Sequence, residues 1–258
     1  MRIFAVVTYK GTNYQGWQKQ PNVLTVQEVI ETNLSKYFNR EITIYGAGRT
    51  DAGVHALGQT FHFDVDVESI DLDRLLYSIN SMLPDDIKID DLEQVDDEFH
   101  ARFSAKEKLY SYLMVLRDKD PFFYETMFVC PYPMDVEKLK ECLTHFIGVH
   151  NFKNFTSKET DKDNFVREIY DITTETNDAY VSILFRGNGF MRYMIRFIVG
   201  TAIEVARDRM SLEEVDTLLD ENSERNIVSY KAPASGLVLV DVKYWLRQPL
   251  SNGLFFVA

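Results

Sequence analysis

Residues 45–67 read YGAGRTDAGVHALGQTFHFDVDV, a glycine-rich loop that leads directly into a β-strand. The strand is indicated by residues 59–67, in which apolar and other side chains alternate with a period of two. A dinucleotide-binding loop also has spaced glycines, but it must open a helix whose N-terminus holds the pyrophosphate. Here a strand follows, the glycine spacing is two residues too long, and Asp51 would repel phosphates. The segment therefore argues against a dinucleotide site.

The residues on either side of this loop predict the same order of elements twice: strand, helix, strand, strand, helix, strand. This order is that of a ferredoxin-like unit, whose open sheet face binds bases in RNA-recognition modules. We therefore predict an α+β fold of two rigidly joined ferredoxin-like (RRM-like) halves, residues 1–104 and 105–258. The predicted strands cover residues 2–9, 42–45, 59–67, 86–95, 108–116, 166–175, 179–187 and 237–244, and the predicted helices residues 25–38, 71–82, 135–146, 190–207 and 211–220.

The charge of the chain is acidic in total but unevenly distributed. The net charge is −12, and thirteen acidic against two basic residues between Asp64 and Glu98 account for −11 of it. Residues 1–27 and 179–203 contain no acid and carry arginine or lysine among aromatic residues, a mixture that suits phosphate pairing and base stacking. An RNA partner is therefore compatible with a pI near 4.9, and we expect these two stretches to line its surface.

The cysteines and the hydropathy pattern indicate the cellular compartment in which the protein is expected. Cys130 and Cys142 lack the spacing of metal ligands and are too few for a disulfide framework, which fits a reducing cytoplasm. No apolar run approaches the length of a membrane span, and the first residues are typical of a strand rather than of a signal peptide. We predict a cytoplasmic protein without membrane association.

Two kinds of site remain for the glycine loop, a metal site and a catalytic carboxylate. Asp51, His55, His62 and His100 are of the ligand types that metals use, but no paired-histidine spacing appears. Alternatively, the glycines would let a substrate approach Asp51, and Arg49 would help to keep its carboxylate ionised. An ionised aspartate can act as a nucleophile without a metal or cofactor.

At these residues the chain resembles the TruA-type tRNA pseudouridine synthases. The family's central motif is matched almost letter for letter by GAGRTDAGVHALGQ, residues 46–59. Five further blocks follow in the family's order and span nearly the whole chain. They are YKGTNYQGWQKQ (9–20), TVQEVIE (25–31), FHARFSAKEKLYSY (99–112), NGFMRYMIRFIVGTAIEV (188–205) and APASGLVLVDVKY (232–244).

The resemblance implies an enzyme that isomerises uridine to pseudouridine in the anticodon stem-loop of transfer RNA, at nucleotides 38, 39 and 40. It implies a pseudouridine synthase fold around a central, mostly antiparallel sheet, with the active site in a cleft between the halves. It further implies a homodimer that uses no metal and no cofactor. A pI near 4.9 is low for such an enzyme and puts the tightness of RNA binding in question.

The resemblance also assigns roles to individual residues. Asp51 matches the nucleophile, which attacks either C6 of the uracil or C1′ of the ribose. Arg196 matches an arginine that pairs with this aspartate and holds it charged. The expected substrate contacts are a base-flipping wedge at Arg49, a tyrosine at Tyr110 that stacks on the target base and is a candidate for proton transfer, and an apolar pocket wall at Leu237. His55 is expected to serve structure or RNA contact rather than catalysis.

The competing hypothesis is a non-catalytic RNA-binding module with two RRM-like halves. Such modules carry an aromatic RNP1 pattern that this sequence lacks, and they would not need Asp51. Loss of catalysis on replacing Asp51 separates the two hypotheses.

Overall fold

One continuous β-sheet, covered by helices, organises the part of the chain that the structure describes. The structure is a computed structural model and describes residues 1–116, 124–157, 164–177 and 179–245. Ten strands share the sheet, and all neighbours pair antiparallel except two pairs. The predicted α+β class with a mostly antiparallel sheet is confirmed.

The first run of elements follows the predicted order of strand, helix, strand, strand, helix, strand. The first helix begins after Thr25, whose hydroxyl accepts the Glu28 N–H, and ends at Asn39, which takes the left-handed conformation of a helix end. The elements are β1 (Arg2–Tyr9), α1 (Val26–Phe38), β2 (Ile44–Gly46), β3 (His55–Asp64), α2 (Leu72–Asn80) and β4 (Ile87–Val95).

The second run repeats this order with two additional short strands and one additional helix. Its long helix begins four residues later than the sequence predicts, because Tyr193 has φ 66° and ψ 0°, a left-handed backbone that cannot continue into a helix turn. The elements are β5 (Glu107–Val115), β6 (Phe128–Val129), α3 (Val136–Thr144), β7 (Gly148–Asn151), β8 (Val166–Thr176), β9 (Tyr180–Gly187), α4 (Met194–Ala206), α5 (Leu212–Leu219) and β10 (Leu237–Lys243).

The last strand joins the two runs into one sheet. The strand order is β4-β1-β3-β10-β5-β9-β8-β7, with β2 beside β3 and β6 beside β5. Strand β10 pairs antiparallel with β5 over most of its length but parallel with β3 at only two residue pairs, Val238 with His55 and Leu239 with Ala56. Tyr244 adds a 2.6 Å hydrogen bond to the hydroxyl of Thr60 across the same junction. The division of the chain at residue 104 stays a prediction.

The aromatic residues near the N-terminus belong to the core. Tyr9, Tyr14 and Trp17 are 2%, 3% and 2% exposed, and in the second stretch Phe185 and Phe197 are also buried. The expectation that these rings line an RNA surface is therefore wrong. Side chains of this size bury large apolar areas, and here that burial supports the sheet and the glycine loop.

Within the described residues, no helix has the length and hydropathy that a membrane span requires.

Candidate active site

The glycine loop, residues 47–54, leaves the sheet at the end of β2 and returns at the start of β3. Strand β2 pairs with β3 at residues 61–63, and β10 pairs with the same edge of β3 at residues 55–56. The loop therefore emerges at the point where the two runs of the chain meet. A substrate held there can contact residues from both runs.

Two glycines of this region are closely packed. The loop lies against residues 14–17, where the Trp17 N–H donates to the Thr50 carbonyl at 3.2 Å. Gly16 has φ 88°, and a Cβ placed on it would lie 2.6 Å from the same carbonyl. A Cβ on Gly48 would lie 2.5 Å from Nζ of Lys108. A side chain at Gly16 would push the loop out of place, whereas one at Gly48 would move the flexible end of Lys108.

Replacing Gly16 with alanine is expected to destabilise the protein by about 1–3 kcal/mol from the left-handed backbone alone, and by more from the overlap with Thr50. Urea unfolding measures the change. Gly189→Ala is the matched control, because a Cβ there meets nothing within 4 Å and its backbone is not left-handed; it should alter stability by less than about 1 kcal/mol. Equal effects of the two substitutions would contradict the packing described here.

Hydrogen bonds from beneath hold the backbone of the loop. The hydroxyls of Tyr9 and Thr50 share a buried hydrogen bond of 2.8 Å. Gln59 Nε2 donates to the Gly48 carbonyl at 3.0 Å, and Lys108 Nζ donates to the Ala47 carbonyl at 2.9 Å. None of these supporting contacts was predicted from the sequence, since a motif does not indicate which side chain binds which carbonyl group.

Asp51 and Arg196 are brought together, as the sequence analysis predicts. Arg196 Nη1 lies 3.6 Å from Asp51 Oδ2, and the two side chains are only 11% and 15% exposed. The guanidinium is fixed from the other side, because its Nε donates to the Ala232 carbonyl at 2.8 Å. Arg196 is on α4, so that helix aims a cation at the loop.

The electrostatics at Asp51 balance burial against several cations. Burial raises the pKa of the Asp51 carboxyl above its ordinary value, while Arg196, Arg192 and Lys231 each lower that pKa. The carboxylate is thus poorly hydrated but compensated by positive charge. A poorly hydrated anion is a better nucleophile than one surrounded by water.

Tyr110 on β5 faces the same region. It is buried, its ring packs edge-on against Phe190 with centroids 5.3 Å apart, and burial together with Tyr9 and Asp51 raises the pKa of its hydroxyl. The phenol therefore stays protonated near neutral pH and can act as a donor.

Comparisons with known proteins show the family of the chain. A family model described as tRNA pseudouridine synthase matches residues 5–104 and 143–245. The chain belongs to the tRNA pseudouridine synthase family. The predicted family and the predicted enzyme class, an isomerase, are thereby confirmed.

Individual relatives of the synthase match over nearly their whole length. A tRNA pseudouridine synthase A of Thermoanaerobacter sp. strain X514 is 38% identical over 94% of this chain and 99% of its own. One of Streptococcus mutans is 38% identical over 95% and 99%. A solved structure of an archaeal box H/ACA sRNP Nop10–Cbf5 complex is similar with a TM-score of 0.35 and 14% identity, covering 78% of this chain and 44% of that one.

The remaining predicted site residues of the synthase occupy different surroundings. Arg49 is exposed, and its Nε donates to Oε1 of Gln18 at 3.1 Å. Leu237 is buried at the start of β10, opposite Tyr112. His55 is buried as well, and its Nδ1 accepts the Gly11 N–H at 3.0 Å. The roles assigned to these residues stay predictions.

Among the residues that the structure describes, no group of three or more histidine, cysteine or acidic side chains could hold a metal ion. His62 instead accepts the Ala101 N–H through its Nδ1 and stacks on Tyr45, with ring centroids 5.1 Å apart. Its ring has a packing role in the sheet.

Proposed function

We propose that the protein converts uridine to pseudouridine in transfer RNA, at nucleotides 38, 39 and 40 of the anticodon stem-loop, with Asp51 as the nucleophile. The proposal rests chiefly on one observation: in the loop that carries the family's motif, Asp51 is largely buried and lies 3.6 Å from Arg196. Membership of the family and the names of its relatives support the substrate.

The reaction breaks one bond and forms another at the same sugar. The N1–C1′ bond is cleaved, the uracil turns, C5 bonds to C1′, N1 gains a proton, and the hydrogen on C5 leaves as a proton. Asp51 attacks either C6 of the base or C1′ of the ribose, and each route ends in the same isomer. In this proposal Tyr110 stacks on the base and exchanges a proton with it.

The target nucleotide must leave its stack before this chemistry, which costs a few kcal/mol. Arg49 fits the role of a wedge, because its guanidinium is exposed at the edge of the loop and is steadied by Gln18. Leu237 fits an apolar wall for the uracil, because the turn just before it lies against the glycine loop. A Cβ placed on Gly53 of the loop would lie 3.3 Å from the Cβ of Ala234 in that turn.

The decisive experiment is the release of tritium from transfer RNA that is transcribed with uridine labelled at C5. Pseudouridine formation must expel the C5 hydrogen, so the assay reads the isomerisation itself. We expect release from anticodon stem-loops with uridine at positions 38, 39 or 40 and none when cytidine replaces these uridines. No release from any transfer RNA, with RNA binding intact, would leave the RNA-binding module as the correct function.

The same resemblance supports a homodimer that acts in the cytoplasm and contacts one transfer RNA with both subunits. Light scattering should then report about twice the chain mass of 30.0 kDa at micromolar concentration, with or without RNA. A mass of one chain under both conditions would refute the dimer without affecting the proposed chemistry.

A further inference from the structure

Tyr193, near the proposed nucleophile, has an unusual backbone conformation, and three cationic side chains contact its ring. Tyr193 directly precedes α4 with φ 66°, a conformation that a residue of this size rarely adopts. Lys231 Nζ lies 3.8 Å from the centroid of its ring, and the Cζ atoms of Arg192 and Arg196 lie 4.8 Å and 5.4 Å from it. Such distances are those of cation–π contacts.

The position of Lys231 is set by its neighbours in the chain. The Ala232 N–H donates to the Arg196 carbonyl, and the Ala232 carbonyl accepts from Arg196 Nε. A Cβ on Gly200 would lie 2.3 Å from the Tyr230 carbonyl, so the segment 230–232 runs directly along α4. Lys231 is thereby held between two packed residues, with its ammonium against the Tyr193 ring.

The charges of this cluster do not cancel. Arg196 pairs with Asp51, but within the described part of the chain no carboxylate lies within 4.0 Å of Lys231 Nζ. Arg196 and Lys231 carry two positive charges against the single negative charge of Asp51, which leaves an excess of one. Arg192, which donates to the Tyr193 hydroxyl at 2.9 Å, is not included in this count. Burial and the two arginines lower the pKa of Lys231, which means that they destabilise its charged form. An incoming anion would stabilise that form.

We propose that Lys231, held over the ring of Tyr193, binds a backbone phosphate of the RNA next to the target uridine. The inference deepens the proposed function and rests on it. A nucleotide that turns out of its stack carries its flanking phosphates toward the site, and these are the anions that must arrive there. The Tyr193 ring occupies one side of the ammonium and leaves its N–H donors for phosphate oxygens, a role that lysine commonly fills.

The first test is the salt dependence of RNA binding, measured in the Asp51→Asn background so that no turnover intervenes. We expect Lys231→Met to raise the Kd about tenfold near 0.1 M salt. The slope of log K against log salt should fall by about 0.7 to 0.9, the contribution of one phosphate. Lys231→Arg should retain most of the affinity. Lys88→Met is the matched control, since Lys88 is exposed in the acidic segment beside Asp90, and it should change neither quantity.

The second test identifies the phosphate and does not depend on the stability of any one variant. A neutral methylphosphonate replaces, one at a time, each phosphate that flanks the target. The sugar before the linkage carries a 2′-O-methyl group both in these RNAs and in the control RNAs with a normal phosphate. One such replacement should weaken binding of the protein with Lys231 about tenfold and of Lys231→Met hardly at all. Losses that are equal in both proteins at every linkage would overturn the proposal.

A pH profile of kcat/KM tests the alternative that Lys231 acts on the ionisation of Asp51 rather than on a phosphate. If Lys231→Met leaves the salt slope unchanged but moves the acid limb to higher pH, Lys231 acts by keeping Asp51 ionised, and the phosphate proposal is wrong. Absence of tritium release from wild-type protein would instead refute the proposed reaction while the binding slopes still test the phosphate contact. The titratable and charged groups that face Asp51 are Arg192 and Arg196 at the start of α4, Lys231 before β10, and Tyr110 on β5.

Discussion

We expect Asp51→Asn to abolish tritium release from C5-labelled transfer RNA, by a factor of at least about 10⁴, while the protein still folds and binds RNA. The amide that replaces the carboxylate has nearly its shape but cannot form the covalent intermediate of the proposed mechanism. Single-turnover assays with excess enzyme measure the loss, and filter binding under the same conditions reports the RNA affinity.

Asp85→Asn is the matched control, because Asp85 is exposed in the acidic segment and the same substitution there removes one negative charge from the protein. It should leave turnover within about twofold of wild type, since surface substitutions away from a site have small effects. Turnover by Asp51→Asn within tenfold of wild type would show that Asp51 does not provide the nucleophile.

Arg196→Met is expected to lower both activity and stability. Methionine fills much of the space but leaves the largely buried Asp51 carboxylate without its partner at 3.6 Å and the Ala232 carbonyl without the Nε donor. Breaking such a pair costs about 3–5 kcal/mol, and the pKa of Asp51 rises further because its nearest cation is gone. Urea unfolding and tritium release at several pH values measure the two effects.

The pH dependence has a definite sign. Burial already raises the pKa of Asp51 in the wild type, so kcat/KM should fall tenfold per pH unit below a pKa that lies above the ~3.9 of a free aspartate. In Arg196→Met this acid limb moves to higher pH. The folded pKa of Asp51 exceeds the unfolded one, so folding takes up a proton between the two, and the contribution of Asp51 to stability increases as pH falls through that window.

Two further variants separate charge from packing at this pair. The double variant Asp51→Asn, Arg196→Met removes both charges and should recover much of the lost stability without any activity. Arg196→Lys keeps the charge and should retain more activity than Arg196→Met. If the double variant is as unstable as the sum of the two single variants, the pair does not interact as the 3.6 Å distance indicates.

The periodic parts of the sequence predict the architecture well. Eight of the ten strands and all five helices were predicted, and all of these except the three-residue strand β2 were predicted from alternation or helical spacing. Strands β6 and β7 have two and four residues, too few to show a period. The parallel contact of β10 with β3 joins residues far apart in the chain, and no local pattern encodes it.

The site was predictable in part. Asp51 and Arg196 follow from the motif blocks, and the structure places them in contact. Tyr9 and Trp17 were assigned to an RNA surface, because an aromatic residue next to basic residues looks the same in sequence whether it stacks on a base or fills a core. Lys231 had no signal at all, since a single lysine in a loop becomes informative only beside the Tyr193 ring.

The insertion of β10 between β3 and β5 has a consequence for the synthesis of the protein. A ribosome makes the partners β3 and β5 long before residues 237–243, so part of the edge that each turns toward β10 stays unpaired until β10 arrives. Forming this contact closes a very long loop, which slows folding. The nascent chain is thus exposed to aggregation through these two edges, and the glycine loop acquires its final surroundings only after residues 237–243 have been made.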